Sequence, residues 1–247
     1  MRRFLIILIA LPAVLLAATS AARGAAFTLD TVSGTMFANT AASFPTDTQS
    51  EGQNWTDPPF LNETKFADSF AGFGWATAES QLNYASAATT ISGSGAVINQ
   101  AFLDSIDEVS SQTESAIDIL FTVPVMTQYT LNATVTQSLS NPPFLVLTNV
   151  TGFNWGTGSS GFAFSATNNQ TISLTGILTP AQYRLNGHVK ILDALGPASG
   201  ILSIDSNATF DFLLTLTPIP EPSAFVLGAF GVIGLVAYGW RRRRRRE

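Results

Sequence analysis

The feature that most constrains this chain is a period of two. Tyr183, Leu185, Val189 and Ile191 alternate with Arg184, Asn186, His188 and Lys190. Successive side chains of a strand point to opposite faces, so this pattern describes a strand with one face buried. Phe210, Phe212, Leu214 and Leu216 repeat it against Thr209, Asp211, Thr215 and Thr217, with Leu213 as the exception. Ile117 to Val125 and Tyr129 to Val135 read as an antiparallel hairpin turning at Met126 and Thr127, and Phe162–Ala166 and Ile172–Leu178 read as further strands. The first half is less regular. Phe27–Ala38 and Leu82–Asn99 look strand-like, and Asn39–Phe60 looks like a long loop. Phe102, Ile106 and Val109 suit a short helix within Asn99–Ser115. Together these signals predict a mainly β body over residues 27–217, folded as a single antiparallel β-sandwich of jelly-roll-like type. Its final strand runs almost into Pro218, which predicts that the C-terminal segment leaves the sandwich edge on a short tether.

Both ends of the chain are apolar. Arg2 and Arg3 precede a run from Phe4 to Ala18, and small residues follow to Ala26. Residues 1–26 therefore read as a secretory signal peptide, handed to the secretory translocon and cut after Ala22 or Ala26. At the other end, Ser223 to Trp240 carries no charged side chain. As a helix these positions reach roughly 27 Å against a hydrocarbon core of about 30 Å, enough for a single transmembrane helix. Arg241, Arg242, Arg243, Arg244, Arg245 and Arg246 follow at once and favour a cytoplasmic C-terminus. Pro220 and Pro222 disfavour helix around Glu221, so the tripeptide should be extended and accessible.

Pro220-Glu221-Pro222, one short span and a terminal arginine cluster, in that order, resemble the PEP-CTERM sorting signal of Gram-negative surface proteins. The resemblance covers residues 218–247. It implies processing by an exosortase, a membrane-embedded cysteine transpeptidase-like enzyme, at or near Pro220-Glu221-Pro222. It also implies membrane attachment through the C-terminal helix before processing, then a place at the cell surface or outside it, with exopolysaccharide as a possible associate.

The whole-chain charge of −5 hides an asymmetry. Within the body, Lys65, Arg184 and Lys190 stand against fifteen carboxylates, a net charge close to −12. Such a surface repels nucleic acid and anionic lipid, so no nucleic-acid partner is expected. There is no cysteine, hence neither disulfide nor lipoprotein attachment. Two short motifs recur, Pro58-Pro59-Phe60-Leu61 as Pro142-Pro143-Phe144-Leu145 and Gly72-Phe73-Gly74-Trp75 as Gly152-Phe153-Asn154-Trp155, which raises two related halves as an alternative to one undivided domain.

Reactive constellations are not evident. His188 is the single histidine and sits mid-strand on a polar face. Gly93 and Gly95 lie among strand-like residues rather than ahead of a helix, so they do not form a phosphate loop. Asp104, Asp107, Glu108 and Glu114 are oxygen donors of the kind Ca²⁺ takes, but they lack the alternating spacing of a calcium loop and read as a solvated face. No pair among the carboxylates has a spacing that marks a glycosidase. Trp75 and Trp155 fall in or beside turn-like segments, where exposed rings would stack on sugars, although aromatic residues more often fill a core. The sequence thus reads as a non-enzymatic surface or extracellular-matrix protein with no cofactor and no metal site. A carbohydrate-binding module is the alternative, and an exported hydrolase ranks last.

Overall fold

A computed structural model describes residues 26–43, 46–56, 60–71, 74–103, 108–139, 145–154, 162, 164–195 and 202–219, and in the tail residues 228, 230–236, 238 and 240–241. Residues 1–25, which hold nearly all of the expected signal peptide, lie outside the described residues. The described body is built from strands β1 (Thr28–Ser43), β2 (Thr46–Thr56), β3 (Phe60–Ala71), β4 (Gly74–Ala87), β5 (Thr90–Leu103), β6 (Val109–Val123), β7 (Thr127–Leu139), β8 (Leu145–Asn154), β9 (Phe164–Thr167), β10 (Gln170–Leu178), β11 (Ala181–Leu195) and β12 (Leu202–Pro218). They form two six-stranded sheets, ordered β2-β1-β6-β11-β8-β9 and β10-β7-β12-β5-β4-β3, with antiparallel pairing throughout. The inner faces pack as a sandwich, as the alternation predicts.

The expected hairpin between Ile117–Val125 and Tyr129–Val135 is corrected. Both strands exist, but β6 lies in the first sheet and β7 in the second. Pro124 has no N–H for a ladder, and both strands bury their apolar faces. The Val123–Thr127 connection is therefore a corner that places the two faces opposite each other across the core. The helix expected in Asn99–Ser115 is also corrected: 99–103 belong to β5 and 109–115 to β6. Ala101 and Leu103 are buried while Phe102 points outward, a period of two that the wider spacing of Phe102 and Val109 concealed. The long loop expected over Asn39–Phe60 is instead the end of β1 and all of β2, paired from Ser33–Thr56 to Ser43–Thr46. Residues 49–54 of this edge strand are exposed whichever way they point, so no hydrophobic alternation announces it.

One aromatic ring ties the sheets together. Phe210 on β12 faces Gly95 directly across the β12–β5 ladder, and Phe212 faces Gly93. Gly187 on β11, in the opposite sheet, meets the other edge of the Phe210 ring. A methyl group at Gly95 or Gly187 would overlap that ring. These strand glycines are the space into which the phenyl groups fit, and they draw the sheets close at their centre. Toward one end, Phe27, Phe121, Phe162, Tyr129 and Tyr183 pack at ring separations of 5.4–6.1 Å, mostly edge to face.

Toward the other end the core turns polar. Asn99 Nδ2 donates to Asp193 Oδ2 (3.1 Å) and to the Ser111 carbonyl (3.2 Å), and Thr113 Oγ1 donates to Asn99 Oδ1 (2.8 Å). With Thr40 and Ser206, all buried, this layer separates the main core from a smaller cluster of Ala42, Ala76, Ala101, Leu103, Val109, Leu195 and Ile204. Burial pushes the Asp193 carboxyl above its ordinary pKa, and the bond from Asn99 counters this in part.

Two outcomes follow. Gly187→Ala should destabilise the fold by about 1–3 kcal/mol in urea unfolding through overpacking. Combined with Phe210→Leu it should cost less than the sum of the two single changes, because the smaller side chain frees the space; simple additivity would contradict the wedge. For Asp193, the folded state holds its proton to higher pH than the unfolded chain, so this group's stabilisation is fullest below about pH 3.9 and is lost as pH rises through the folded value. Asp193→Asn should therefore lose less stability than wild type as the pH is raised above about pH 4. A difference independent of pH would contradict this.

Candidate functional site

The body meets the tail at the end of a central strand. The sequence predicts an exit from the sandwich edge, but β12 lies between β7 and β5. Its pairing with β7 continues to Pro218–Thr127, and the Ile219 N–H then donates to the Met126 carbonyl at 2.8 Å. The backbone is thus held up to one residue before Pro220. At about 3.3–3.6 Å per residue, Pro220-Glu221-Pro222 reaches at most about 11 Å beyond Ile219. Those three residues and Arg242–Arg246 lie outside the described residues, whereas Arg241 is helical and exposed.

Of the expected span 223–240, the described residues 228, 230–236, 238 and 240 are helical. Phe230, Ile233, Leu235, Val236, Tyr238 and Trp240 are each 62–68% exposed. Among the described residues no helix is long and apolar enough to cross a membrane.

Trp75 opens β4 on the outer face of the second sheet and is half-buried. It faces Phe70 of edge strand β3 on one side and Phe102 of β5 on the other, and Phe102 in turn faces Ser203 of β12. This row of three aromatic residues across three strands was not visible in the sequence. Phe70 and Phe102 are separated by more than thirty positions, and only the register aligns them with Trp75. The next outward row is Asp68, Thr77, Gln100 and Asp205, with Gln100 Nε2 donating to Asp205 Oδ1 at 3.4 Å. Trp155 lies outside the described residues, and β8, the strand before it, belongs to the other sheet from Trp75.

The outer face of the first sheet is organised by ion pairs. Arg184 grips Asp118 through Nε (2.6 Å) and Nη2 (2.5 Å), and this bonding raises the Arg184 pKa. Lys190 Nζ lies 2.9 Å from Glu114 Oε2, and His188 Nε2 lies 3.2 Å from Glu114 Oε1. His188 thus sits on the polar face as its alternation predicts, beside a carboxylate. Lys65 pairs with Glu51 at 3.4 Å, and the Phe66 N–H holds the exposed Glu51 carboxyl below its usual range. All three cations of the body are therefore matched to carboxylates across strands. Of the acidic cluster, Asp104 and Asp107 lie outside the described residues, Glu108 is exposed, and Glu114 is engaged by Lys190 and His188. Among the described residues no group of three or more His, Asp or Glu side chains is placed to hold a metal ion.

A family model described as the PEP-CTERM protein-sorting motif matches residues 218–245. No curated protein and no solved structure matches the chain.

Proposed function

Because residues 218–245 of this chain carry a PEP-CTERM protein-sorting motif, we propose that it is a non-enzymatic surface or extracellular-matrix protein that an exosortase processes through its tail during export. The carrying observation is the motif itself, beginning where β12 ends. In this reading residues 1–26 direct the chain to the translocon, and residues 223–240 hold it in the membrane while Arg241–Arg246 stay on the cytoplasmic side. The outward apolar side chains from Phe230 to Trp240 support that membrane step, since a helix apolar all round suits a lipid surroundings. The arginines oppose transfer of the C-terminus across the bilayer.

The short reach beyond Ile219 gives the processing step a geometric condition. An enzyme acting near Pro220 must work within about 11 Å of the folded body. Cleavage within Pro220-Glu221-Pro222 would leave at most three residues beyond Ile219 on the released sandwich. An acidic body with its cations matched remains soluble and is repelled by anionic lipid, which suits a protein destined to leave the membrane. Association with exopolysaccharide is the setting we assign to it.

The test is the fate of the tail in cells. With Pro220→Ala and Pro222→Ala together, the protein should stay in the inner-membrane fraction at the mass of the uncut tail, while the wild-type product lacks the span and appears outside the cell. Equal retention of the span in both would sink the sorting role and leave a simple anchor. Insertion of six Gly-Ser residues between Ile219 and Pro220 should leave processing intact or faster; loss of processing would show that the enzyme requires contact with the folded end.

A further inference from the structure

We propose that the outer face of the sheet β10-β7-β12-β5-β4-β3 is a binding platform for an uncharged polysaccharide, with Phe70, Trp75 and Phe102 as its stacking row. The proposal rests on the export reading for its setting, because the ligand is met only outside the cell.

Three observations carry it. The first is the row itself. Phe70, Trp75 and Phe102 are direct neighbours across β3, β4 and β5 on one outward face. Strands about 4.8 Å apart spread the row over about 10 Å, the length scale of a disaccharide. Phe70 is 62% exposed, and Phe66, four residues back on the same face, is 51% exposed. An aromatic face carries negative charge density and attracts the polarised C–H groups on the flat side of a pyranose.

The second observation is what borders the row. Asp68, Thr77, Gln100 and Asp205 form the adjacent outward row, and Glu79 faces Phe66 in the row beyond the hydroxyl-binding groups. Carboxylates and an amide oxygen accept hydrogen bonds from sugar hydroxyls, and the Gln100 amide and Thr77 hydroxyl can donate. A protein interface of comparable size is depleted in Asp and Glu at its centre, so carboxylates set against the rings favour a sugar over a second copy of the chain. Among the described residues no Lys or Arg points from this face, since Lys65 lies on the other side of β3 beside Glu51. Uronic-acid polymers would be repelled, which selects neutral chains.

The third observation is position. Phe102 faces Ser203 near the start of β12, whereas the tail leaves from Pro218 at its end. Fifteen residues of strand separate the two, about 50 Å. While the chain is still held by its span, the platform therefore lies at the end of the sandwich remote from the tail.

Affinity electrophoresis of the full chain in a zwitterionic detergent tests this with hydroxyethylcellulose, laminarin and dextran as neutral probes and polygalacturonate as the anionic one. At least one neutral polymer should retard the protein and polygalacturonate should not. Phe70→Ala and Trp75→Ala should each weaken the retardation by about tenfold or more, and Trp75→Phe should retain most of it. Phe70 is largely exposed, so its removal leaves the fold intact, which circular dichroism of the same sample checks. The proposal fails if no neutral polymer is bound, if polygalacturonate is bound equally well, or if both alanine variants bind like wild type. It also fails if sedimentation shows a dimer that these variants dissociate, because a second copy would then cover the face. None of these outcomes bears on tail processing, which is read separately by mass and location.

Discussion

The Phe210 ring, held between Gly95 of its own sheet and Gly187 of the facing one, is the contact on which the rest of the sandwich depends. A wedge of this kind fixes three things at once. It sets the separation of the sheets at their centre, it locks the β12–β5 register because a one-residue slip would turn Phe210 and Phe212 outward, and it makes β12 a central strand. Without disulfides, the protein relies on such apolar packing for its stability.

From this central strand the two outer faces diverge in character. The first sheet uses Arg184–Asp118 and the Glu114, His188 and Lys190 group to neutralise its charges in place. The second carries outward aromatic residues on its β3 side, next to a row that holds Asp68 and Asp205, the latter accepting from Gln100. β12 connects the ends of the molecule: Ser203 lies beside the aromatic row, and Pro218 leads into the sorting motif. The hydrogen bond from the Ile219 N–H to the Met126 carbonyl, the last along β12 among the described residues, is also the first fixed point for whatever acts on the tail.

How much of this the sequence disclosed depended on whether neighbouring residues carried the signal. The strands β11 and β12 were legible because each buries one face along its whole length, and Leu213 was correctly the outward exception at 42% exposure. The tail was legible because its signal is local and ordered. Pairing was not: β6 and β7 are consecutive and both amphipathic, yet Pro124 and a sheet-to-sheet corner separate them. β2 was missed because an edge strand exposed over residues 49–54 has no pattern to display. Trp75 was found as an isolated aromatic, while its partners Phe70 and Phe102 depend on register and so belong to the tertiary structure.

β12 is the strand about which the sandwich closes, and its order persists to the base of the tail. Residue-resolved hydrogen exchange measures this directly. The amides of Phe210, Phe212 and Leu214 should exchange only through global unfolding, and the Ile219 amide should be clearly protected despite lying next to the tail. Rapid exchange of Ile219, or exchange of β12 by local opening while β6 and β11 stay protected, would show that β12 does not hold the sandwich together up to the tail.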